Sequence, residues 1–374
     1  MSERDNPKAF KHHLGRDAVL AIADDVGRVH GRFDRGRFVA VADRLGPLEL
    51  KARAAAITEA LHEALALPYP RAIDVVQAAC PPPEASHGAF GAWPLVHYVG
   101  RFGLEHPQRS LAALRAMTAT FSGEFDVRPY IVKDPDLALD TLARWVDDPS
   151  EHVRRLVSEG TRPRLPWGLR LQALVADPSP GLALIERLHA DESEYVRRSV
   201  ANHLNDVSKD HPARAVAVAS RWLDGGAPTT RALVTHALRH LVKKGHAGAL
   251  AALGHGDARG LEVASLDVPR TVAIGGHLAL ALVVRNRARR ARSVVVDFAV
   301  HYLGARGAKA PKVFKLRTLE LAAGAEVTLA KRHPMRHVSI RSLVPGPHRV
   351  DVQVNGVVLA GADFTLTPSE EGER

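Results

Sequence analysis

Two carboxylates, Glu159 and Asp206, and one aromatic residue, Trp167, stand where residue type and spacing point to chemistry. They belong to a stretch, Trp145 to Pro212, that contains a gapless repeat. DPSEHVRRLVSE, starting at Asp148, aligns with DESEYVRRSVAN, starting at Asp191, an offset of 43 residues that also sets Arg155 on Arg198. That offset is the length of one helical-solenoid unit. In each copy a polar, acidic first turn precedes apolar positions at helical spacing: Val153, Leu156 and Val157, then Val196, Val200 and Leu204. Off that stripe Arg155 and Glu159 lie four apart, and Arg198, Asn202 and Asp206 continue the same line. Neighbouring helices are therefore expected to bring two carboxylates and their arginines to one concave face. Carboxylates fixed near one point can stabilise a developing cation, hold a water or move a proton. The plainer alternative makes both acids solvated helix ends, with Arg155 and Glu159 an exposed pair worth about 0.2–0.5 kcal/mol.

Between the copies lies TRPRLPW, which no helix interior accommodates, because Pro163 and Pro166 remove amide donors and clash with the preceding turn. Its Trp167 reads equally as a loop anchor or as a ring face offered to a cation. Arg162 and Arg164, on what reads as a mobile basic loop, are expected to contact phosphate, with surface solubility as the competing account. Glu124, two residues after Ser122, occupies a position where an acid favours a helix start.

SEGTRPRLPW, preceded by EHVRRLV and followed by SVANHLNDVSKDHP, together with FSGEFDVRPYI and FGAWPLVHYVG upstream, resembles the AlkC branch of the AlkC/AlkD bacterial DNA alkylation-repair glycosylases. The likeness covers most of residues 10–255. It implies a HEAT-like solenoid that cradles duplex DNA and, in base excision repair, hydrolyses the N-glycosidic bond of cationic N3-methylated bases. These are 3-methyladenine and, as an extension, 3-methylcytosine, attacked without full base flipping. By the same resemblance the catalytic acids fall on Glu124, Glu159 and Asp206, and the active-site aromatic on Trp167. DNA contacts are expected from Arg154, Arg155, Arg162, Arg164, Arg198 and Lys209. No phosphate-binding glycine loop, zinc-spaced Cys and His set or nucleophile elbow is present, so no cofactor and no metal is expected. No lysine stands where it argues for a Schiff base, which implies hydrolysis without strand cleavage; a monomer is expected. The competing class is a non-catalytic helical-repeat scaffold binding DNA or protein.

The 374 residues, 46% hydrophobic and 25% charged, fit a folded chain of two domains. Net charge is +10, carried by 40 Arg and 11 Lys. From Leu261 to Leu366 there are 16 basic against 7 acidic residues, so most of the excess lies there and favours a polyanionic partner. Cys80 is the only cysteine, which suits a reducing cytoplasm, and no apolar run long enough for a membrane span is found.

The elements expected to position these residues run in order. Residues 1–16 read as a flexible N-terminus and 17–256 as the mainly α HEAT-like solenoid. Its helices are expected at 17–29, 38–45, 50–67, 71–79, 90–102, 107–121, 124–132, 211–223, 229–244 and 247–253, with a connection at 80–88. Val127-Arg128 aligns with Val153-Arg154 after only 26 residues, so the repeat is imperfect. From 261 to 367 the period shifts to alternation, and about seven strands fit an immunoglobulin-like sandwich that would clamp DNA, followed by a polar tail at 368–374. Its arginines 285, 287, 289, 290 and 292 cluster between two strands, and Arg287, Arg289 and Arg290 are expected at a phosphate or minor groove.

Overall fold

A computed structural model describes residues 9–85, 90–226, 228–304, 307–308, 310–338 and 342–369. The outer parts of the expected flexible N-terminus and tail, and residues 86–88 of the expected connection, lie outside these. The helices are α1 (Arg16–Val29), α2 (Arg35–Val39), α3 (Leu50–Leu65), α4 (Tyr69–Ala79), α5 (Trp93–Phe102), α6 (Pro107–Met117), α7 (Arg128–Lys133) and α8 (Pro135–Trp145). There follow α9 (Glu151–Gly160), α10 (Gln172–Ala176), α11 (Ser179–Leu188), α12 (Glu194–Asp210), α13 (Pro212–Asp224), α14 (Thr230–Ala237), α15 (Arg239–Lys243) and α16 (Ala247–Ala252).

The repeat has a physical basis that both copies share. Asp148 Oδ1 accepts from the Ser150 amide at 2.9 Å, and Asp191 Oδ1 from the Ser193 amide at 2.8 Å, so each Asp closes the turn that launches its helix. Arg154 donates to the carbonyls of Asp148 and Pro149, as Arg197 does to those of Asp191 and Glu192. The expected stripes, Val153, Leu156 and Val157 and Val196, Val200 and Leu204, are all buried, and α9 packs on α12. Arg154 then ties the two units together through Asp191, at 2.7 and 2.9 Å.

Several expectations change. The helix expected over 124–132 starts only at Arg128, since a start at Glu124 would have put the Pro129 ring against the Phe125 carbonyl. Glu124 therefore sits in a turn, not at a helix start. The segment expected at 229–244 divides into α14 and α15. Residues 10–13 form a 3-10 turn, its Lys11 pairing with Glu49 at 2.9 Å and its backbone accepting from buried Arg53, so this part of the N-terminus is anchored rather than flexible.

The chain forms two compact units. One runs to Asp210 and takes in the segment ending at Ala237; the other takes His211–Gly226 and everything from Leu238. The division expected at 256–261 thus falls earlier, because α13, α15 and α16 go with the sandwich. Helix α15 packs against β7, and α16 against α13 and α15.

In the second unit, β1 (Leu261–Asp267), β2 (Thr271–Ala273), β3 (His277–Asn286), β4 (Arg292–His301), β5 (Leu303–Gly304), β6 (Gly307–Ala308), β7 (Lys312–Leu321), β8 (Glu326–Pro334), β9 (Gly346–Val354) and β10 (Val357–Thr367) form the immunoglobulin-like domain. Sheets ordered β1-β3-β8 and β2-β10-β9-β4-β7 face one another, beside a small β5-β6 pair. All pairings are antiparallel except β2 with β10. Among the described residues eight strands in two layers, rather than about seven, enclose the core. Alternation in β3 is the reason for the layering: Leu278, Leu280, Leu282 and Val284 point inward against Phe298, Val296, Val350 and Val352.

Candidate active site

Glu159 is the penultimate residue of α9, and Asp206 lies one turn before the end of α12. The macrodipole opposes a carboxylate at both places. They are not solvated ends: Glu159 is 5% and Asp206 0% exposed. One guanidinium serves both. Arg162 Nη1 lies 2.5 Å from Glu159 Oε1, and its Nε donates to Asp206 Oδ2 at 2.8 Å. Lys209 Nζ adds a second cation at 2.8 Å from Asp206, and Ser199 Oγ donates to Glu159 Oε2 at 2.6 Å. The two acids expected on one face therefore do converge, but they are ion-paired rather than unpaired.

Glu124 joins them from the turn before α7. Arg155 Nη1 lies 2.5 Å from Glu124 Oε2 and its Nη2 3.7 Å from Glu159 Oε1, while its guanidinium rests 5.0 Å from the centre of the Tyr195 ring. Burial pushes the Glu124 carboxyl up from its ordinary range, the Arg155 cation draws it back, and the Glu159 charge raises it further. Glu124 and Glu159, with Phe90, Phe121, Phe125, Arg155, Arg162, Leu165, Pro166 and Trp167, line a cavity of about 390 Å³. Asp206 is behind Arg162 and does not line it.

Trp167 is at the end of the proline-broken loop, 56% exposed, with φ at +64°. A bulky residue in the left-handed region costs on the order of 1–3 kcal/mol, and persists only where its surroundings enforce it. Lys51 Nζ supplies part of that enforcement, donating to the Trp167 carbonyl at 2.8 Å. The ring is not a buried anchor.

The basic residues expected at phosphate divide. Arg154 is buried against Asp191, Arg162 and Lys209 are committed to the acids, and Arg155 is held between Glu124 and Tyr195. Each is paired with a protein carboxylate that is buried or largely so. Arg164 makes two bonds of 2.6 Å to Asp210 while remaining partly exposed. Arg198 is exposed at a second cavity of about 430 Å³ between α12 and α14, with Arg197 and His236. In the sandwich, Arg285 and Arg287 pair with Glu262, and Arg292 with Asp257. Arg289 and Arg290 are exposed. No group of His, Cys, Asp and Glu able to hold a metal ion occurs among the described residues, and no described helix is long and apolar enough to cross a membrane.

Sequence reasoning missed part of the cavity. Phe121 and Phe125 flank Glu124 within FSGEF, and that bracketing was the available signal. Ser199 takes the repeat position of Leu156, a polar residue breaking an apolar stripe, and Tyr195 takes that of His152. Phe90 opens FGAWPLVHYVG, a segment read for its resemblance and not for a site residue.

Residues 262–368 match the family model described as "Uncharacterised protein YhaZ, C-terminal Ig-like domain". The uncharacterized protein YhaZ of Bacillus subtilis (strain 168) is 36% identical over 360 residues, covering 96% of this chain and 99% of that one. Among solved structures, the alkylpurine DNA glycosylase AlkC of Pseudomonas fluorescens, bound to DNA containing an abasic site analog, superposes with a TM-score of 0.91 at 36% identity. That match spans 96% of this chain and 99% of that one. With 36% identity and a shared fold over 96% of its length, the chain belongs to the AlkC family.

Proposed function

We propose that this protein is a monofunctional DNA glycosylase that hydrolyses the N-glycosidic bond of cationic N3-alkylated bases, 3-methyladenine first and 3-methylcytosine as an extension, in duplex DNA. The observation that carries the proposal is the single cavity in which Glu124 and Glu159 meet Trp167. A cationic base leaves with the electron pair of the C1′–N bond and becomes neutral, and the deoxyribose it leaves is oxocarbenium-like. The carboxylates of Glu159 and Glu124 stabilise that charge, and one of them takes a proton from the water that adds to C1′. Glu124, with its carboxyl raised by burial, suits the proton transfer. The Trp167 face favours the cationic base before the bond breaks and loses that attraction afterwards.

Asp206 acts differently from the cavity acids. Buried and bonded to Arg162 and Lys209, it fixes the cation that in turn fixes Glu159. The protein acts as a monomer, without complete extrusion of the nucleotide, and Arg164, Arg198, Arg289 and Arg290 contact the DNA backbone. Arg289 and Arg290 give the sandwich its clamping role.

The test is incubation of N-methylated duplex DNA with wild-type protein and with Glu124→Gln, Glu159→Gln and Asp206→Asn, measuring free base and abasic sites. Wild type should release base without cutting the strand, and each cavity variant should lose about 100-fold or more in single-turnover rate. Wild-type protein that binds the duplex but releases nothing would make the chain a scaffold. 2-Aminopurine beside the lesion reports extrusion, which should remain partial.

A further inference from the structure

Arg128 has no exposed surface, yet among the described residues no carboxylate receives its guanidinium directly. Its three nitrogens donate to backbone carbonyls instead: Nη1 to Gly160 at 2.7 Å, Nη2 to Arg162 at 2.8 Å and Nε to Leu169 at 2.5 Å. Those acceptors bracket the proline-broken loop, two where it leaves α9 and one just past Trp167. Burying an arginine against neutral carbonyls is costly, and burial, followed by the neighbouring Arg162 cation, pushes its pKa down to about 10.

Comparison between repeats shows that this arrangement is not the ordinary one. Arg154, which aligns with Arg128, gives Nη1 to carbonyls of the turn that precedes its own helix and its other nitrogens to the Asp191 carboxylate, and Arg197, which aligns with Arg154, turns back to carbonyls of its own preceding turn. Arg128 instead gives all three nitrogens to backbone carbonyls, 32 to 41 residues along the chain, at the loop beside the cavity. The same stretch is fitted closely at Gly160, where an added Cβ would stand 2.6 Å from Val127 Cγ1.

We infer that Arg128 is a positioning residue for the reaction: by clasping both ends of the loop it sets Trp167 and Arg162, and through Arg162 Glu159, against the cavity. The inference rests on the glycosylase reading for its kinetic consequence but not for its structural one. A planar fork with three donors can span three carbonyls at fixed angles; an ammonium on a flexible stem cannot. Loosening the clasp leaves the repeats in place and lets the loop move, and a displacement of about 1 Å in a positioning group costs on the order of 100-fold in rate.

The experiment uses the full chain and the variants Arg128→Lys and Arg128→Ala, each paired with the same protein carrying Trp167→Phe. The difference in acrylamide quenching within each pair reports Trp167 alone. Single-turnover base release and duplex affinity are measured in parallel. In both Arg128 variants the Trp167 difference signal should change at least twofold and base release should drop about 100-fold, with affinity nearly kept. Guanidinium ion, well below denaturing concentration, should restore both signals in Arg128→Ala but not in Arg128→Lys. Folded variants with an unchanged Trp167 signal would overturn the assignment, as would unfolding of both variants, which would make Arg128 a support of the whole repeat unit. Wild type that releases no base would remove the glycosylase reading, while the quenching difference would still decide the clasp.

Discussion

Replacing Arg162 by Met removes the one cation that Glu159 and Asp206 share, and the structure sets the size of the effect. Breaking a buried ion pair from one side costs about 3–5 kcal/mol, because a charge is left without a partner. Neither acid is wholly abandoned here. Asp206 keeps Lys209 at 2.8 Å, and Glu159 keeps the Ser199 hydroxyl at 2.6 Å and Arg155 at 3.7 Å. The loss should therefore fall at the lower end, about 3 kcal/mol. With a urea slope of about 2–3 kcal/mol per molar, the helical unit's transition would move down by roughly 1 M. Urea titration followed by far-ultraviolet circular dichroism measures that shift. Adding Glu159→Gln and Asp206→Asn to Arg162→Met should recover more than 1 kcal/mol, since the interaction is shared by groups in direct contact. A single variant within about 0.5 kcal/mol of wild type, or strict additivity, would mean that these carboxylates are solvated in the working protein and that the buried cluster is not what organises the site.

Other outcomes follow from particular residues. His203 is fully buried, its Nδ1 3.0 Å from the Ser158 carbonyl and its Nε2 without a hydrogen-bond partner among the described residues; burial pushes its pKa down to about 4 from 6.5. Between those values the unfolded chain takes a proton that the folded chain refuses, so this contribution is intact above pH 6.5 and is lost as pH falls toward 4. It amounts to on the order of 3 kcal/mol, and His203→Gln should flatten the slope in urea titrations across that window. Gly160→Ala should cost about 1–3 kcal/mol through overpacking on Val127 and should slow base release with it, as read by thermal unfolding and single-turnover kinetics. Arg289→Ala with Arg290→Ala should reduce the logarithmic salt slope of duplex binding by about 2, whereas Arg287→Ala, already paired with Glu262, should change it less.

Much of this molecule was written in local pattern. The 43-residue repeat fixed the paired helices, because Asp148 and Asp191 close the same turn and the valines and leucines after them recur at the spacing of one helix face. Alternation in β3 announced the sandwich, and the resemblance carried by TRPRLPW and its flanks pointed to the family and to the three acids. Whether an acid is solvated or buried, and which arginine it meets, is decided by partners distant in sequence, which periodicity does not encode. Arg155 and Glu159, four apart, read as a surface pair, yet Glu159 is buried 2.5 Å from Arg162, and Arg155 lies closer to Glu124 from another repeat. Arginines meant for phosphate became counter-ions, since a cation beside a buried carboxylate is held more firmly than one facing water. The left-handed backbone of Trp167 and the reach of Arg128 to the loop likewise arise only when the helices stack: tertiary packing alone brings three carbonyls from the two ends of one loop within range of a side chain more than 30 residues away.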